Sequence, residues 1–521
     1  MDKMKRREFL AGAAAGAAIF SLPAWVRAAT GSTPSATLAK DDAASSAARC
    51  PNIVFILADD LGYGDLGCQN PKSKIPTPNL DRLATQGIRF SDAHDPTAVC
   101  TPTRYGILTG RYCWRSRLKK GVLGGFSPPL LETGRLTVPA LLKQHGYATA
   151  CVGKWHLGLG WPAKDGAAKG KANEEEVNYT KPITDGPCTH GFDYFYGISA
   201  SLDMPPYVFI ENDRAVAVPT ARQEAQKGQF VRAGPKDPDF ALDQVLPRLT
   251  RKAVGWIGQQ AGGGAARPFF FYFALNAPHT PIVPAAEFKG KSGAGDYGDY
   301  VVEVDWAVGE VLKVLDEHKL ADRTLVIVTS DNGPERLAYE RIQEYQHYSM
   351  GDLRGVKRDT WEGGHRVPYL ARWPGKIRPG GVSGEVICQT DLMATAAAIV
   401  GAKLPPDAGE DSYSILPALL GEKLDKPIRE ATVHHSGSGR FAIRQGQWVF
   451  IDAPSGDDNK EPDWLKKERG YQPHKFPGEL YDLSQDLSER RNLYGERPEI
   501  VQRLKTLLEK YKAEGRSAPR A

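Results

Sequence analysis

The stretch PNIVFILADDLGYGDLG, residues 51–67, runs an unbroken apolar segment straight into two acids. Asn52 to Ala58 is rich in β-branched and aromatic residues and has no alternation, the pattern of a strand buried on both faces. Adjacent strand residues point to opposite faces. Asp59 and Asp60 therefore reach one centre only if the backbone turns after Ala58, and the glycines of LGYGDLG supply freedom for that turn.

Working outward, TPNLDRLATQGIRF (77–90) reads as a helix with Thr77 as cap, Pro78 in its first position and Gly87 at its end, followed by extended Ile88 to Phe90. TVPALLKQHGYATACVG (137–153) repeats the theme, with a helix ending near Gly146 and a strand over Tyr147 to Val152. PFFFYFAL (268–275) and TLVIVTS (324–330) are further buried strands. Between them YVVEVDWAVGEVLKVLDEH (300–318) carries a helical stripe of Val304, Val308, Val311, Leu312 and Leu315. Strands alternating with helices predict an α/β fold, a large mostly parallel sheet flanked by helices. In such folds the site lies beyond the carboxyl ends of the strands. Asp59, Asp60, Lys154, His156, Asn276, His279, Asp331 and Asn332 all stand there.

Past residue 425 the pattern changes. REATVHHS, RFAIRQGQWVFI and GELYDLSQD read as short strands, and PEIVQRLKTLLEKYKAE as an amphipathic helix with Ile500, Leu504, Leu507 and Leu508 on its apolar side. The expected organisation is a main domain over residues 50–424 and a smaller antiparallel sheet-plus-helix domain over 425–521, which contributes to the substrate entrance. Residues 1–29 pair Arg6 and Arg7 with a short apolar run and a small-residue cleavage point near Ala28, an export signal of twin-arginine type rather than a membrane span. Residues 30–49 are small and polar, a tether. Lys plus Arg number 67 against 62 Asp plus Glu, a net charge of +5 spread along the chain with no basic block, so no nucleic-acid partner is expected. The seven cysteines form an odd set with no tight zinc-type pair, and their pairing is not readable.

Asp59, Asp60, Asp331 and Asn332 offer an oxygen-rich shell that suits a hard cation, calcium ahead of magnesium because it tolerates varied carboxylate geometry. An extended Lys154 to His156 places both side chains on one face, with Trp155 packing away. Lysine brings three donors for an oxyanion, and histidine exchanges a proton near neutrality. His279 sits in the restricted loop NAPHTP, and Lys357 in the glycine-flanked GVKRDTWEGG.

Cys100 opens what reads as a helix in VCTPTRYGILTGR (99–111), with Pro102 early in it and Arg104 four residues on, over the same side of the first turn. Amides at the helix start and the Arg104 fork attract an oxyanion. They also depress a thiol pKa and favour a thiolate. A thiolate facing an anionic substrate sets two negative charges together, so a modified, neutral residue 100 makes better electrostatic sense than simple cysteine catalysis.

Cys100, Pro102 and Arg104, continued by LTG, together with PNIVFILADDLGYGDLG, GYATACVGKWHLG and DNG, resemble the type I, formylglycine-dependent sulfatases of the alkaline phosphatase-like superfamily. The likeness extends over roughly residues 51–400. It implies that Cys100 is oxidised to formylglycine by a maturation enzyme, that the aldehyde hydrate is the nucleophile, and that Asp59, Asp60, Asp331 and Asn332 hold calcium beside it. It further implies that Asp331 helps deprotonate the attacking hydroxyl, that Arg104 and Lys154 stabilise the modified residue, and that Lys357 and His279 engage the sulfate and the departing oxygen. His279 then protonates the leaving alcohol, and His156 removes a proton from the sulfated enzyme to expel sulfate. Replacing Arg104 or Lys357 by alanine is accordingly expected to lower turnover far more than stability.

The expected substrate is an aryl sulfate or a sulfated mono- or oligosaccharide. A phosphonate monoester or phosphodiester is the rival within the superfamily, and an inactive exported carbohydrate-binding protein the rival outside it. RYCWRSRLKKG, HGFDYFYG, SLDMPPYVF and VHHSGSGR interleave aromatic with polar residues at a presumed sugar entrance, where His190, His365, His434 and His435 are candidate contacts. The leader implies a bacterial periplasmic or secreted enzyme, matured in the cytoplasm before the twin-arginine machinery exports it folded.

Overall fold

The computed structural model describes residues 50–164, 174, 176–262 and 267–520. The expected leader and tether lie outside them. Five parallel strands form the centre: β1 (Asn52–Ala58), β2 (Ala148–Lys154), β3 (Tyr194–Ile198), β4 (Phe269–Ala274) and β5 (Thr324–Ser330), in the spatial order β5-β1-β4-β2-β3. Tyr369–Arg372 pairs antiparallel with β5, and shorter strands at both edges complete a ten-stranded sheet. It is the expected mostly parallel sheet, mixed at its margins.

The apolar run of β1 is buried at every position because the sheet is covered on both sides. Ile53, Phe55 and Leu57 enter one apolar cluster with the helices Cys100–Thr109, Val138–Gln144 and Leu392–Val400. Val54, Ile56 and Ala58 enter the other, beneath Val245–Gly262 and Gly295–Glu317. Each large side chain so buried contributes about 1.5–3 kcal/mol. The Gly295–Glu317 helix takes in the expected stripe and opens with the turn GDYGD, whose Asp299 accepts from the Gly290 and Ser292 amides.

The turn after β1 is made differently from the expectation. Asp60 itself takes the left-handed conformation, φ 67°, while Gly62 is extended at φ −74°. Aspartate is among the non-glycine residues that tolerate this region. The glycines serve close approach instead: a Cβ on Gly62 would lie 2.2 Å from the Ser349 carbonyl oxygen. Gly153, near the end of β2, meets both demands. Its φ is +122°, and a Cβ there would fall 1.7 Å from the Ala274 carbonyl oxygen of β4. Gly153→Ala must open the β2–β4 pairing just before Lys154. We expect a stability loss above the roughly 1–3 kcal/mol of backbone strain alone, visible as a lowered midpoint in urea unfolding.

Thr432–His435, Phe441–Gln445, Trp448–Ile451 and Glu479–Asp482 form an antiparallel four-stranded sheet. The helix Pro498–Glu514 buries Ile500, Leu504, Leu507 and Leu508 against Val433, Ile443 and Phe450 of that sheet. The Val433 amide donates to the Tyr112 hydroxyl, 3.1 Å, which ties this sheet to the segment after the Cys100 helix. No helix among the described residues is long and apolar enough to cross a membrane.

Candidate active site

Strand register gathers the acidic residues. Ala58 of β1 lies opposite Ser330 of β5, and Leu57 opposite Ala274 of β4, so three strands end at one level. The chain continues as an extension of the sheet: the Asp59 amide donates to the Ala277 carbonyl at 3.0 Å, and the Asp331 amide to the Ala58 carbonyl at 3.1 Å. Asp59, Asp60, Asp331 and Asn332 are all fully buried.

Three cations meet the three carboxylates. Lys154 Nζ donates to Asp59 Oδ2 at 2.5 Å, and Lys357 Nζ to both Asp60 oxygens at 2.7 and 2.9 Å. Arg104 grips Asp331 Oδ2 through Nε at 3.0 Å and Nη2 at 2.7 Å. Burial opposes the charge on Asp59, but Lys154, followed by His279, Arg104 and Lys357, holds its carboxyl well below the usual range. Asp331 goes the other way. Burial and then the Asp59 charge raise it despite Arg104, which makes it the more basic of the two.

Cys100 opens the helix Cys100–Thr109, all of whose residues are buried, and Sγ lies 3.6 Å from Asp59 Oδ1. Burial, then Asp331, pushes the thiol up, against the depression that the helix start and Arg104 alone would give it. A thiol held in its neutral form accords with the expected modification of residue 100. The unmodified sulfur marks where oxidation would set an oxygen. Arg104 also donates from Nη1 to the Lys154 carbonyl, 3.1 Å, so it ties two strand ends together.

A cavity of about 570 Å³ opens above this floor, lined by Cys100, His156, His279 and Lys357. Lys154 and His156 share no extended strand as expected. β2 stops at Lys154, and His156 turns left-handed at φ 58°, which carries its ring to the cavity while Trp155 packs into the core. His156 Nε2 lies 2.7 Å from the Leu123 carbonyl and so carries the proton, leaving the buried Nδ1 without a partner. Burial, then Lys154 and Arg104, holds this imidazole well below its ordinary pKa, so the ring is neutral with a free lone pair. His279 has the opposite tautomer: Nδ1 donates to the Thr280 carbonyl at 2.6 Å, and Nε2 points toward Asp60 Oδ2, 3.8 Å away.

The four expected sugar contacts are not in the cavity lining. His365 and His434 are fully buried beside one another, His435 packs on Phe441, and His190 is held by Asp185 at 2.7 Å. Three of the four entrance stretches do reach it, through Gly121, through Ser201, Asp203 and Met204, and through Gly437 and Ser438. HGFDYFYG does not, because Tyr194–Ile198 is β3 of the sheet. Sequence reasoning missed the charged rim of Glu335, Arg336, Arg358 and Asp458. Arg358 forms a two-pronged pair with Glu335 at 2.7 and 2.6 Å, and it holds that carboxyl down at about 2 against burial. Its place beside Lys357 in the sequence was the available signal.

Asp59, Asp60, Cys100 and His279 each present a ligand atom within 4.8 Å of the others. Asn332 Nδ2 donates to Asp60 Oδ1 at 2.7 Å, while Asn332 Oδ1 is buried without a partner. An orphaned carbonyl oxygen among three carboxylates fits a hard, oxygen-seeking dication. The thiol is the one soft donor in the set, and the set becomes uniform once residue 100 supplies oxygen. The arrangement therefore fits calcium and a formylglycine together. Carboxylates and cations already balance in number, so a bound dication makes the site electropositive toward an anion.

A family model described as Sulfatase matches residues 51–402. The chain is 36% identical over 503 residues to an N-acetylgalactosamine-6-O-sulfatase of Bacteroides thetaiotaomicron, covering 89% of this chain and 93% of that one. It is 35% identical over 477 residues to human arylsulfatase A, covering 88% and 87%. A solved structure from work on the metabolism of multiple glycosaminoglycans by Bacteroides thetaiotaomicron superposes with a TM-score of 0.76 at 35% identity, covering 89% of this chain and 100% of that chain.

Proposed function

Because this chain belongs to the sulfatase family and hydrolyses sulfate esters, we propose that its substrate is a small sulfated sugar, with 6-O-sulfated N-acetylgalactosamine the first to test. The observation that carries the reading is the cavity itself, about 570 Å³ with two histidines and a lysine around Cys100. That volume lies within the range of small-ligand pockets. Its rim of paired charges, Glu335 with Arg358, offers donors and acceptors to ring hydroxyls rather than an apolar slot for an aryl group.

Calcium held by Asp59, Asp60, Asp331 and Asn332, and an aldehyde hydrate on residue 100, would supply charge neutralisation and an oxygen nucleophile. The remaining steps belong to side chains already in place. Asp331, raised in basicity and locked in direction by Arg104, takes the proton from the hydroxyl at residue 100. Lys154 keeps Asp59 ionised and fixed. Lys357 uses two of its three N–H donors on Asp60, leaving one for a sulfate oxygen. With Nδ1–H held on the Thr280 carbonyl, His279 in its doubly protonated form delivers the Nε2 proton to the departing alcohol, and the bare Nδ1 of His156 removes the proton that releases sulfate.

Turnover of N-acetylgalactosamine 6-sulfate, its 4-sulfate isomer, an aryl sulfate and an aryl phosphate diester tests the assignment. We expect kcat/KM to be highest for the 6-sulfate. A faster phosphate diester points to the rival reading, and equal rates on both sulfated sugars remove the positional claim. His156→Ala should lower kcat about 100-fold or more. Because wild-type His156 is already neutral well below pH 6.5, any acid limb of the kcat profile should survive in the variant. Disappearance of the limb would mean that His156 titrates near neutrality.

The chain is further proposed to be a periplasmic or secreted enzyme, exported by the twin-arginine route after a maturation enzyme converts Cys100 in the cytoplasm. Support comes from Arg6 and Arg7 and the apolar run that follows them. Finding fully converted exported protein beside an unconverted cytoplasmic precursor would overturn that order.

A further inference from the structure

The wall of the catalytic cavity holds a carboxylate that no step of the reaction uses. Asp203 stands on the loop after β3 and lines the cavity together with Ser201, Phe230 and Arg232. Its side chain is 8% exposed. Among the described residues Oδ1 is buried with no partner, and Oδ2 has one charged neighbour, Arg232 Nη2, at 3.5 Å. That separation exceeds the roughly 2.7–2.9 Å of a charge-assisted hydrogen bond. The Arg232 side chain is 59% exposed, so the pair contributes little. Ser201 Oγ, two residues earlier, is likewise buried without a partner among the described residues.

The backbone that presents this side chain is fixed independently of it. The Met204 amide donates to the Ser201 carbonyl at 3.0 Å, and the Asp203 carbonyl accepts from the Arg232 amide at 3.0 Å and from the buried Tyr207 hydroxyl at 3.1 Å. A buried acceptor without a donor costs stability. Kept in a cavity wall, it points to a donor that arrives from outside. The sulfate is not that donor, because its oxygens only accept and its charge repels a carboxylate. An aryl ring presents only C–H groups there. A sugar ring presents hydroxyls, and adjacent carbons offer two O–H donors to the two oxygens of one carboxylate.

We propose that Asp203 is the residue that selects a sugar over an aryl group: it accepts from neighbouring ring hydroxyls, those on C3 and C4 of N-acetylgalactosamine 6-sulfate, while the sulfate lies at Cys100 and Lys357. This role rests on the reading of the cavity as a sugar site. The Ser201 hydroxyl stands beside it as a neutral donor to the same ring.

The test compares the full mature chain with Asp203→Asn and Asp203→Ala on N-acetylgalactosamine 6-sulfate, its 3-deoxy and 4-deoxy analogues, and an aryl sulfate. In the wild type, deleting a hydroxyl that Asp203 receives should lower kcat/KM about 10- to 100-fold. Asp203→Ala should lose a similar factor on the parent sugar and much less on the aryl sulfate, and the deoxy penalty should vanish in it. Asp203→Asn keeps one acceptor oxygen and should lose less. Melting temperatures should be unchanged or higher, since each variant relieves a buried unpaired charge. A merely structural Asp203 would instead lower the melting temperature and every substrate alike, and that result overturns the role. A deoxy penalty undiminished in both variants also overturns it and leaves the sugar reading standing. A wild type that turns over the aryl sulfate faster than the sugar removes the reading, and the role with it.

Discussion

Cys100→Ala is expected to abolish hydrolysis of an aryl sulfate, by at least about 10⁴-fold, the scale seen when a nucleophile is removed from a cooperating set. The side chain is fully buried at the start of its helix and makes one weak contact, to Asp59 at 3.6 Å. Alanine removes little volume and leaves no charge unpaired, so far-ultraviolet circular dichroism should stay native. Burial and Asp331 push the unmodified thiol up and favour its neutral form. Retained turnover in this variant would mean that the reaction does not pass through residue 100.

The second large effect separates two cations that the sequence presents alike. Arg104→Ala strips both hydrogen bonds from Asp331 Oδ2 and one from the Lys154 carbonyl, inside a floor with no solvent. Breaking a buried pair from one side costs about 3–5 kcal/mol. The variant should therefore be unstable as well as inactive, a revision of the expectation that turnover would fall far more than stability. Lys357 stands in the cavity wall, and Asp60 keeps the Asn332 amide as a partner when it is gone. Lys357→Ala should lower kcat by about 10²–10³-fold, the usual effect of deleting one fixed donor to developing charge. Its loss of stability should be the smaller of the two. Thermal melts and aryl sulfate kinetics on both proteins check the contrast; equal loss of stability in the two would remove it.

Much of the catalytic floor was legible because strand ends mark it. An all-apolar run such as Ile53–Ala58 suits a doubly covered strand, and polar residues directly after several such strands meet wherever the register aligns their ends. Local backbone choices were less legible. Asp60 and His156 take left-handed conformations that the neighbouring residues do not announce. The entrance was the weakest part. Sequence displays polarity but not depth, and His365 and His434 look like surface ligands although the C-terminal sheet closes over them. Arg104 shows the same limit: its charge was evident, while its partner, Asp331, is 227 positions away.

The central claim is sulfate-ester hydrolysis by a converted Cys100. It is tested most directly by measuring aryl sulfate turnover against the fraction of chains in which mass spectrometry finds the Cys100 sulfur replaced by an aldehyde oxygen, across preparations matured to different extents. A straight line through the origin is the expected result. Turnover that persists at zero conversion, or that does not rise with it, would contradict the account.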